Sequence, residues 1–356
     1  MKRILKSTLA ILLVLGMLMG LTACHKAQEK ALIVGGQEYT SAFYSCALVF
    51  ADLEGQQYVY EKLGETAYLN YLEQTIDGVP YATWVKNRAI ETIKDYSAYK
   101  IKCDELLLQC DEYASDATAV ADSDWANYYS AIMSENGVGR GTFRWYSTMN
   151  VYKLGYFDYL YGKGGSKEIP AADITAELSD KYTLSNILSV DNSSLTETEF
   201  NDKVAKLESY VDRIKNGEKF EKIYAEFLGQ TYVETDKEDT NTFSFNLASI
   251  IGSDKTQYTS EYYEDIKALA NGEIKVIKKT TEGDTPVTTA LLIYKNDVLD
   301  EKNPNFDDLK KIAMHSLKDE EFENDMKSFI TSLQVEENER ATKRFKVEKI
   351  KYPTGY

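Results

Sequence analysis

The stretch GKGGSKEIP at residues 162–170 divides this chain into two textures, and its fold has to satisfy both. The glycines, charges and Pro170 read as a linker. From Ala31 to about Lys163 apolar residues recur at helical spacing; beyond Pro170 helical and strand periods mix. In the first piece, ALIVGGQEYT reads as a short strand and turn leading into a helix with Phe43, Cys46 or Ala47, and Phe50 on one face. Pro80 precedes a long helix with Val85, Ala89, Ile93 and Tyr96 at helical spacing. Two more helices follow, over about 122–135 and about 142–161. The intervening NGVGRG has a GxGxG spacing, but it follows a helix rather than a strand, so it reads as a loop and not as a nucleotide site.

The second piece opens with a short helix over about 172–181 and the strand-like YTLSNILSV at 182–190. Alternation puts Leu184, Asn186 and Leu188 on one face, an amide between two leucines. An amphipathic helix follows over about 197–216, with Val204, Leu207, Val211 and Ile214 on one face, and GEKFEKIYAEF starts another. NTFSFNLAS and TTALLIYKNDV alternate as strands. After Pro304 a last helix runs over about 306–335, and RFKVEKIKY reads as a closing strand. Helices and strands mix here without a strict βαβ rhythm, which implies an α+β fold.

The first residues set the compartment. MKRILKSTLAILLVLGMLMGLTAC has basic Lys2, Arg3 and Lys6, an apolar run from Leu9 to Leu21 and small residues before Cys24, the pattern of a secretory signal peptide; a single membrane anchor is the alternative. Leu21-Thr22-Ala23-Cys24 resembles the lipobox of bacterial lipoproteins, in which the cysteine takes a diacylglyceryl group. Buried acyl chains contribute about 0.8 kcal/mol per CH₂, and two chains hold stably where one does not. The resemblance implies a mature protein that begins at a lipidated Cys24 on the outer face of the cell membrane, with 24–30 as a tether.

Removing Lys2, Arg3 and Lys6 from the 41 basic residues leaves 38 against 57 acidic ones, and moves the net charge from −16 to −19. Phosphate backbones repel such a surface, so nucleic acid is not an expected partner. Cys103 and Cys110 lie seven apart in an expected helix, about 10 Å along its axis, too far for a disulfide. Cys46 has no evident partner, and all three read as buried free thiols. There is no CxxC, no metal-spaced His/Cys set and no P-loop in the sequence, so no metal site is expected.

The second piece resembles the parvulin-type peptidyl-prolyl isomerases. LSNILSV is similar to their first strand, usually written A-S-H-I-L-V. IKNGEKFEKIYAEF is similar to i-k-k-G-e-d-F-a-e-l-A through Ile214, Gly217, Phe220 and Ala225. YTSEYYEDIKALANGEI is similar to M-v-p-e-F-e-k-A-v-f-s-L-k-k-G-e-i, with Tyr258 and Tyr262 at the i, i+4 spacing and Leu269, Gly272 and Glu273 in register. The flanks extend the match: IVGGQEYTSAF is similar to the v-n-G-e-k-I-t-k-d-E-f opening of foldase lipoproteins of the PrsA and SurA type. That resemblance implies a lipoprotein signal peptide (1–23), a helical chaperone domain (31–165, completed by 303–352) and an inserted parvulin-like module (172–299) around a small antiparallel sheet.

The same resemblance identifies what is missing. Asn186 stands where the family places the first histidine of its active-site pair. The second, from G-Y-H-I-I-K-V, is expected near Thr289 or Ala290, where there is none; the chain has only His25 and His315. The G-G-D-L-G-w strand corresponds roughly to TNTFSFNLAS, without its acid or its glycines. Rotation about an X-Pro bond faces a barrier of about 18–20 kcal/mol; the enzyme needs no cofactor and has mainly to bind the twisted amide. Asn186 keeps hydrogen bonds but offers no titratable ring, or it is a strand amide tying the sheet. The expectation is a degenerate module kept for peptide binding by Asn186, Leu188, Phe243, Phe245, Tyr258 and Tyr262, with no catalytic residue assigned.

Holding is then the expected activity, and FRWYSTMNVYKLGYFDYLYG supplies rings for it: Phe143, Trp145, Tyr146, Tyr152, Tyr156, Phe157, Tyr159 and Tyr161. Rings this dense cover more than one face of a single helix, so most pack between helices and the remainder are free to contact apolar segments of any sequence. The expected function is an anchored extracytoplasmic chaperone acting on unfolded or newly secreted polypeptides. The alternatives are a working isomerase with a non-histidine pocket and a solute-binding lipoprotein, the latter disfavoured by the lack of a two-lobed α/β rhythm. Cys24→Ala is expected to release the protein from membranes or leave it unprocessed; membrane retention after leader cleavage, seen by fractionation beside wild type, rules out the lipid.

Overall fold

The structure is a computed structural model, which describes residues 28–232, 248–253, 256–281 and 286–353. The leader with Cys24, most of the tether, and Phe243 and Phe245 lie outside the described residues. The chain divides into two compact units, one holding the described residues up to Lys167 and from Glu321 onward, the other Glu168–Glu320.

In the first unit β1 (Lys30–Val34) and β2 (Gln37–Thr40) pair antiparallel. Gly35 and Gly36 turn between them with φ of 55° and 85°, left-handed values that a two-residue hairpin needs and glycine supplies. Gly35 is further constrained: a Cβ there would sit 2.7 Å from Ile101 Cδ1. The Thr40 hydroxyl accepts the Phe43 N–H at 3.2 Å and so caps α1 (Ser41–Leu63). The expected face of α1 is inside, with Phe43, Cys46 and Ala47 buried, as are Val85, Ala89 and Ile93 of α2 (Tyr81–Leu106). Each large apolar side chain so buried contributes about 1.5–3 kcal/mol.

Helix α3 (Asp111–Asp124) runs into a π-helical turn, Trp125–Tyr129, and a short helix, Ser130–Glu135. The aromatic segment is two helices rather than one, α4 (Arg140–Thr148) and α5 (Asn150–Tyr161). Around Met149 the backbone makes i→i−3 bonds, Met149 N–H to Tyr146 O and Tyr152 N–H to Met149 O; this tighter turn separates the two helices without glycine or proline. Phe143, Tyr146, Phe157 and Tyr161 are buried, while Trp145 and Tyr159 are exposed.

The second unit starts with α6 (Ala171–Lys181), which leads into β3 (Tyr182–Asp191). A capping box of Thr196 and Glu199 starts α7 (Glu197–Lys215), followed by α8 (Phe220–Phe227), β4 (Ser249–Gly252), α9 (Tyr263–Lys267), β5 (Ile274–Thr280) and β6 (Thr288–Asn296). The sheet is antiparallel with order β4-β3-β6-β5. On one face Val204, Leu207 and Tyr210 of α7 pack on Leu188, Val190 and Leu292. On the other, Ile266 of α9 packs on Ile187, Leu291 and Ile293. The architecture is α+β.

Helix α10 (Phe306–Ser332) serves both units in turn. Leu309 and Ala313 join Leu178, Tyr182 and Leu184 in the second unit, and Phe322 packs on Tyr99 and Phe157 in the first, at 5.3 Å from each ring. The helical domain is expected to take 303–352; in the structure its share begins at Glu321, because α10 carries apolar residues for two cores. The closing strand also differs. It is β7 (Val335–Glu337), paired antiparallel with β1, while Val347–Lys349 is a 3₁₀ turn. With β7 on the second edge of β1, RFKVEKIKY pairs with no strand among the described residues.

The chain's last described residues also reach a buried charge. Asp52 is fully buried; it accepts from Tyr81 Oη (3.0 Å), from Gln56 Nε2 (2.9 Å) and from Tyr352 Oη. Burial pushes its carboxyl above the usual range, and the three donors offset only part of that. A raised folded value means that the contribution of Asp52 to stability is fully present below the ordinary carboxylate range and is lost as pH rises through the folded value. As pH rises from about 4, the ordinary carboxylate value, through the raised folded value, the helical unit should therefore lose stability in wild type relative to Asp52→Asn. Tyr352→Phe should cost about 1–3 kcal/mol near neutral pH and less in acid; thermal melts of the three proteins at both pH values check this.

Candidate functional site

The alternation of β3 places Leu184, Asn186 and Leu188 on one face, and two different apolar clusters claim the leucines. Leu184 belongs with Tyr182, Leu309 and Ala313; Leu188 belongs with Val204, Leu207 and Leu292. Asn186 falls between them with 0% of its surface exposed. Its Oδ1 accepts a hydrogen bond from Asn296 Nδ2 at 2.7 Å, and Tyr294 lies directly across the ladder. The amide therefore spends its acceptor inside the sheet, on an inner strand rather than an edge. Nothing of it is presented to a peptide at the surface.

The position expected for the second histidine does not face Asn186 across the ladder. Thr289 and Ala290, expected near the second histidine position, pair with Asp191 and Val190, whereas Asn186 pairs with Tyr294. Ala290 is thus four places along the strand from the contact, about 13 Å at 3.3 Å per residue. The same-face neighbours of Asn186 on β6 are Leu292, Tyr294 and Asn296. A slip of two residues keeps every side chain on its face, so alternation alone cannot register it. None of the three is an imidazole.

The two expected ring residues part company. Tyr258 is half-buried, edge-to-face on Tyr182 at 6.3 Å, in the cluster of Leu184. Tyr262 is half-buried in the cluster of Ile187, Leu291 and Ile293, on the opposite face of the sheet from Leu188. Burial raises the pKa of its hydroxyl, and a hydrogen bond with Thr289 offsets part of that. The shared-face argument for the pair required a helix through both, but α9 begins only at Tyr263 and Thr259 makes an isolated bridge to Gly252. Two concavities formed by the described residues of this unit lie elsewhere: one of about 380 Å³ beside Val190, Leu195, Lys203, Lys206 and Tyr210, another of about 190 Å³ beside Thr183, Lys267, Lys295 and Asn296.

A larger hollow, unforeseen from the sequence, lies in the helical unit. It is an open groove of about 540 Å³ lined by Phe50, Leu53, Tyr96, Tyr129, Phe143 and Tyr146. Phe50 stacks on Tyr146 at 5.1 Å and meets Tyr129 at 5.2 Å; Tyr129 meets Phe143 at 5.4 Å. The π-helical turn at Trp125–Tyr129 carries Tyr129; such turns re-aim side chains that a regular helix would point elsewhere. On the rim, Arg88 Nε donates to both oxygens of Glu54, at 2.8 and 3.0 Å. Phe50 and Tyr96 were legible as apolar positions on their helices; the π turn has no sequence mark.

No family model matches this chain, and none of the curated proteins does. Among solved structures it is similar to the foldase protein PrsA from Lactococcus lactis, with 12% identity over 88% of this chain and 96% of that one and a TM-score of 0.38. It is also similar to the foldase protein PrsA from Streptococcus pneumoniae, with 15% identity, 65% and 78% of the two chains covered and a TM-score of 0.32.

The amide pair has a measurable weight. Asn296→Ala removes the donor from a buried Asn186 carbonyl, and is expected to destabilise the second unit by about 1–3 kcal/mol; urea unfolding of the variant beside wild type checks this.

Proposed function

We propose that this chain is an exported, lipid-anchored chaperone of the foldase type, which holds unfolded segments of newly secreted proteins and has little or no isomerase activity. The observation that carries the holding role is the aromatic groove of the helical unit. Three half-buried rings, Phe50, Tyr96 and Tyr129, in an open hollow of about 540 Å³ floored by buried Phe143 and Tyr146, offer apolar contact without demanding a sequence, which is what unrelated unfolded clients require. The leader ending in Leu-Thr-Ala-Cys24 supports export and anchoring at the outer face of the cell membrane. The acidic surface supports protein rather than nucleic acid as the partner.

The second unit supports the reading of low isomerase activity. Catalysis of X-Pro rotation needs a pocket that binds the twisted amide better than the planar one. Asn186, at the position of the family's first histidine, is sealed in the sheet, and Leu188 beside it is 1% exposed. Phe243 and Phe245 remain part of the proposed peptide seat by resemblance alone. Among the described members, Tyr258 and Tyr262 keep accessible surface, so their rings are the ones proposed to make residual peptide contact.

Two assays on the mature protein separate the readings. It should suppress aggregation of a denatured client, and Tyr129→Ala should weaken client binding roughly tenfold, the size of effect expected on truncating a central ring. A coupled assay on a proline-containing peptide should show little acceleration over uncatalysed exchange, which takes tens of seconds. Within the second unit, Tyr262→Ala should weaken peptide binding more than Asn186→Ala does. Robust turnover that disappears in Asn186→Ala would overturn this reading in favour of an active isomerase.

A further inference from the structure

The seven-residue spacing of Cys103 and Cys110 holds them apart only if one helix runs through both, and it does not. Helix α2 ends at Leu106, and Leu107 adopts the left-handed conformation, φ 53° and ψ 35°. The Leu107 N–H bonds Asp104 O at 3.2 Å and the Leu108 N–H bonds Cys103 O at 2.9 Å, a C-terminal reversal made without the usual glycine. The chain doubles back, and Cys110, the residue that precedes α3, brings its Sγ to 3.8 Å from that of Cys103. A left-handed leucine that is 87% exposed is a strained way to end a helix, and it delivers this juxtaposition.

The surroundings are shaped for sulfur. Gly155 of α5 lies against the pair, where a Cβ would come within 2.6 Å of Cys110 Sγ. Val151, Tyr152 and Tyr156 pack around the two thiols, and Cys103 Sγ donates to Tyr152 O at 3.4 Å. Cys46, by contrast, is buried in the main core with Met133 Sδ at 3.9 Å as its sulfur neighbour.

We propose that Cys103 and Cys110 are a dithiol site that closes to an intramolecular disulfide by exchange with an organic disulfide. The more exposed Cys110 thiolate attacks one sulfur of the external disulfide and expels one thiolate, giving a mixed disulfide on Cys110. The Cys103 thiolate then attacks the Cys110 sulfur, forms the Cys103–Cys110 bond and expels the second. Two protein thiols are oxidised, one external disulfide is reduced to two thiols, and the two protein protons go to the leaving thiolates. Burial, followed by the neighbouring Cys110, pushes the Cys103 thiol up to about 12, so closure is slow in the folded protein and proceeds through opening of the exposed Leu106–Leu107 tip. The closed bond staples the end of α2 to the start of α3. Its occupancy in cells rests on the export proposed above, since oxidising compartments keep such bonds closed; the chemistry of the pair does not.

Trypsin leaves both residues in one peptide, Cys103–Arg140, which contains no internal Lys or Arg. After equilibration of the full mature protein with oxidised and reduced glutathione, alkylation in denaturant and digestion, that peptide should appear two hydrogens lighter, with no alkyl group and no glutathione, while Cys46 is alkylated. In Cys103→Ser, Cys110 should instead retain glutathione. The oxidised wild type should melt about 5 °C above the reduced one, as closing a short loop predicts, with no such difference in Cys103→Ser. A wild-type peptide carrying two alkyl groups, or a stable glutathione adduct, overturns the proposal. Closure in vitro with two free thiols in protein isolated from cells upholds the dithiol site and counts against export.

Discussion

The helical unit is closed by pairing β1 with β7, strands from opposite ends of the described chain, and everything else in that unit rests on this closure. Val34 pairs with Val335 and Leu32 with Glu337. Beyond β7, Asn338 Nδ2 donates to Lys30 O at 2.8 Å, and the Lys351 N–H donates to Asn136 Oδ1 at 3.0 Å. Tyr352 reaches Asp52 across 300 residues of sequence. Contacts of such separation are slow to form, although the entropy of loop closure grows only logarithmically with length. The second unit, with cores of its own on both faces of its sheet, can fold first and shorten the loop that remains. The aromatic groove depends on α1 and α2, and both pack beneath strands that need the far end of the chain.

In the second unit the corresponding constraint is polar. Leu184 and Leu188 project from one face of β3 into separate clusters, and a chain that merely alternates apolar residues would tolerate a two-residue slip against β6. The bond between Asn186 and Asn296 does not. A slip would take Asn186 away from its donor and leave two amides buried among leucines, at a cost greater than the hydrogen bond itself contributes when made. That gives the amide a structural reason to sit where it does, one that requires no substrate.

The same physics decides what the sequence discloses. Faces of α1, α2 and α7 follow directly from the recurrence of Phe43, Cys46, Val85, Ala89, Val204 and Leu207, since burial of one stripe dictates the period. The breaks were harder. Leu107 ends α2 in a left-handed conformation that glycine or asparagine would have signalled, and the break at Met149 uses ordinary residues. Partner registers are also invisible to a period of two, so the residue across from Asn186, Tyr294, could not be read from the alternation. The groove is hidden for a related reason: its five rings come from four elements, α1, α2, the π turn and α4, and no window of sequence contains it.

A chaperone that holds without isomerising has to contend with time. Uncatalysed X-Pro exchange takes tens of seconds. A groove of micromolar affinity, with an association rate constant of about 10⁶ M⁻¹s⁻¹, releases its client about once per second. A client waiting for a proline must therefore be released and recaptured many times before the slow step is over. Recapture depends on local concentration, and tethering to the surface at which clients emerge raises that concentration without any new contact. In the proposed function, the lipid at Cys24 and the rings around Tyr129 are thus two parts of one device: the rings need only be weak and tolerant, provided that the anchor keeps them close.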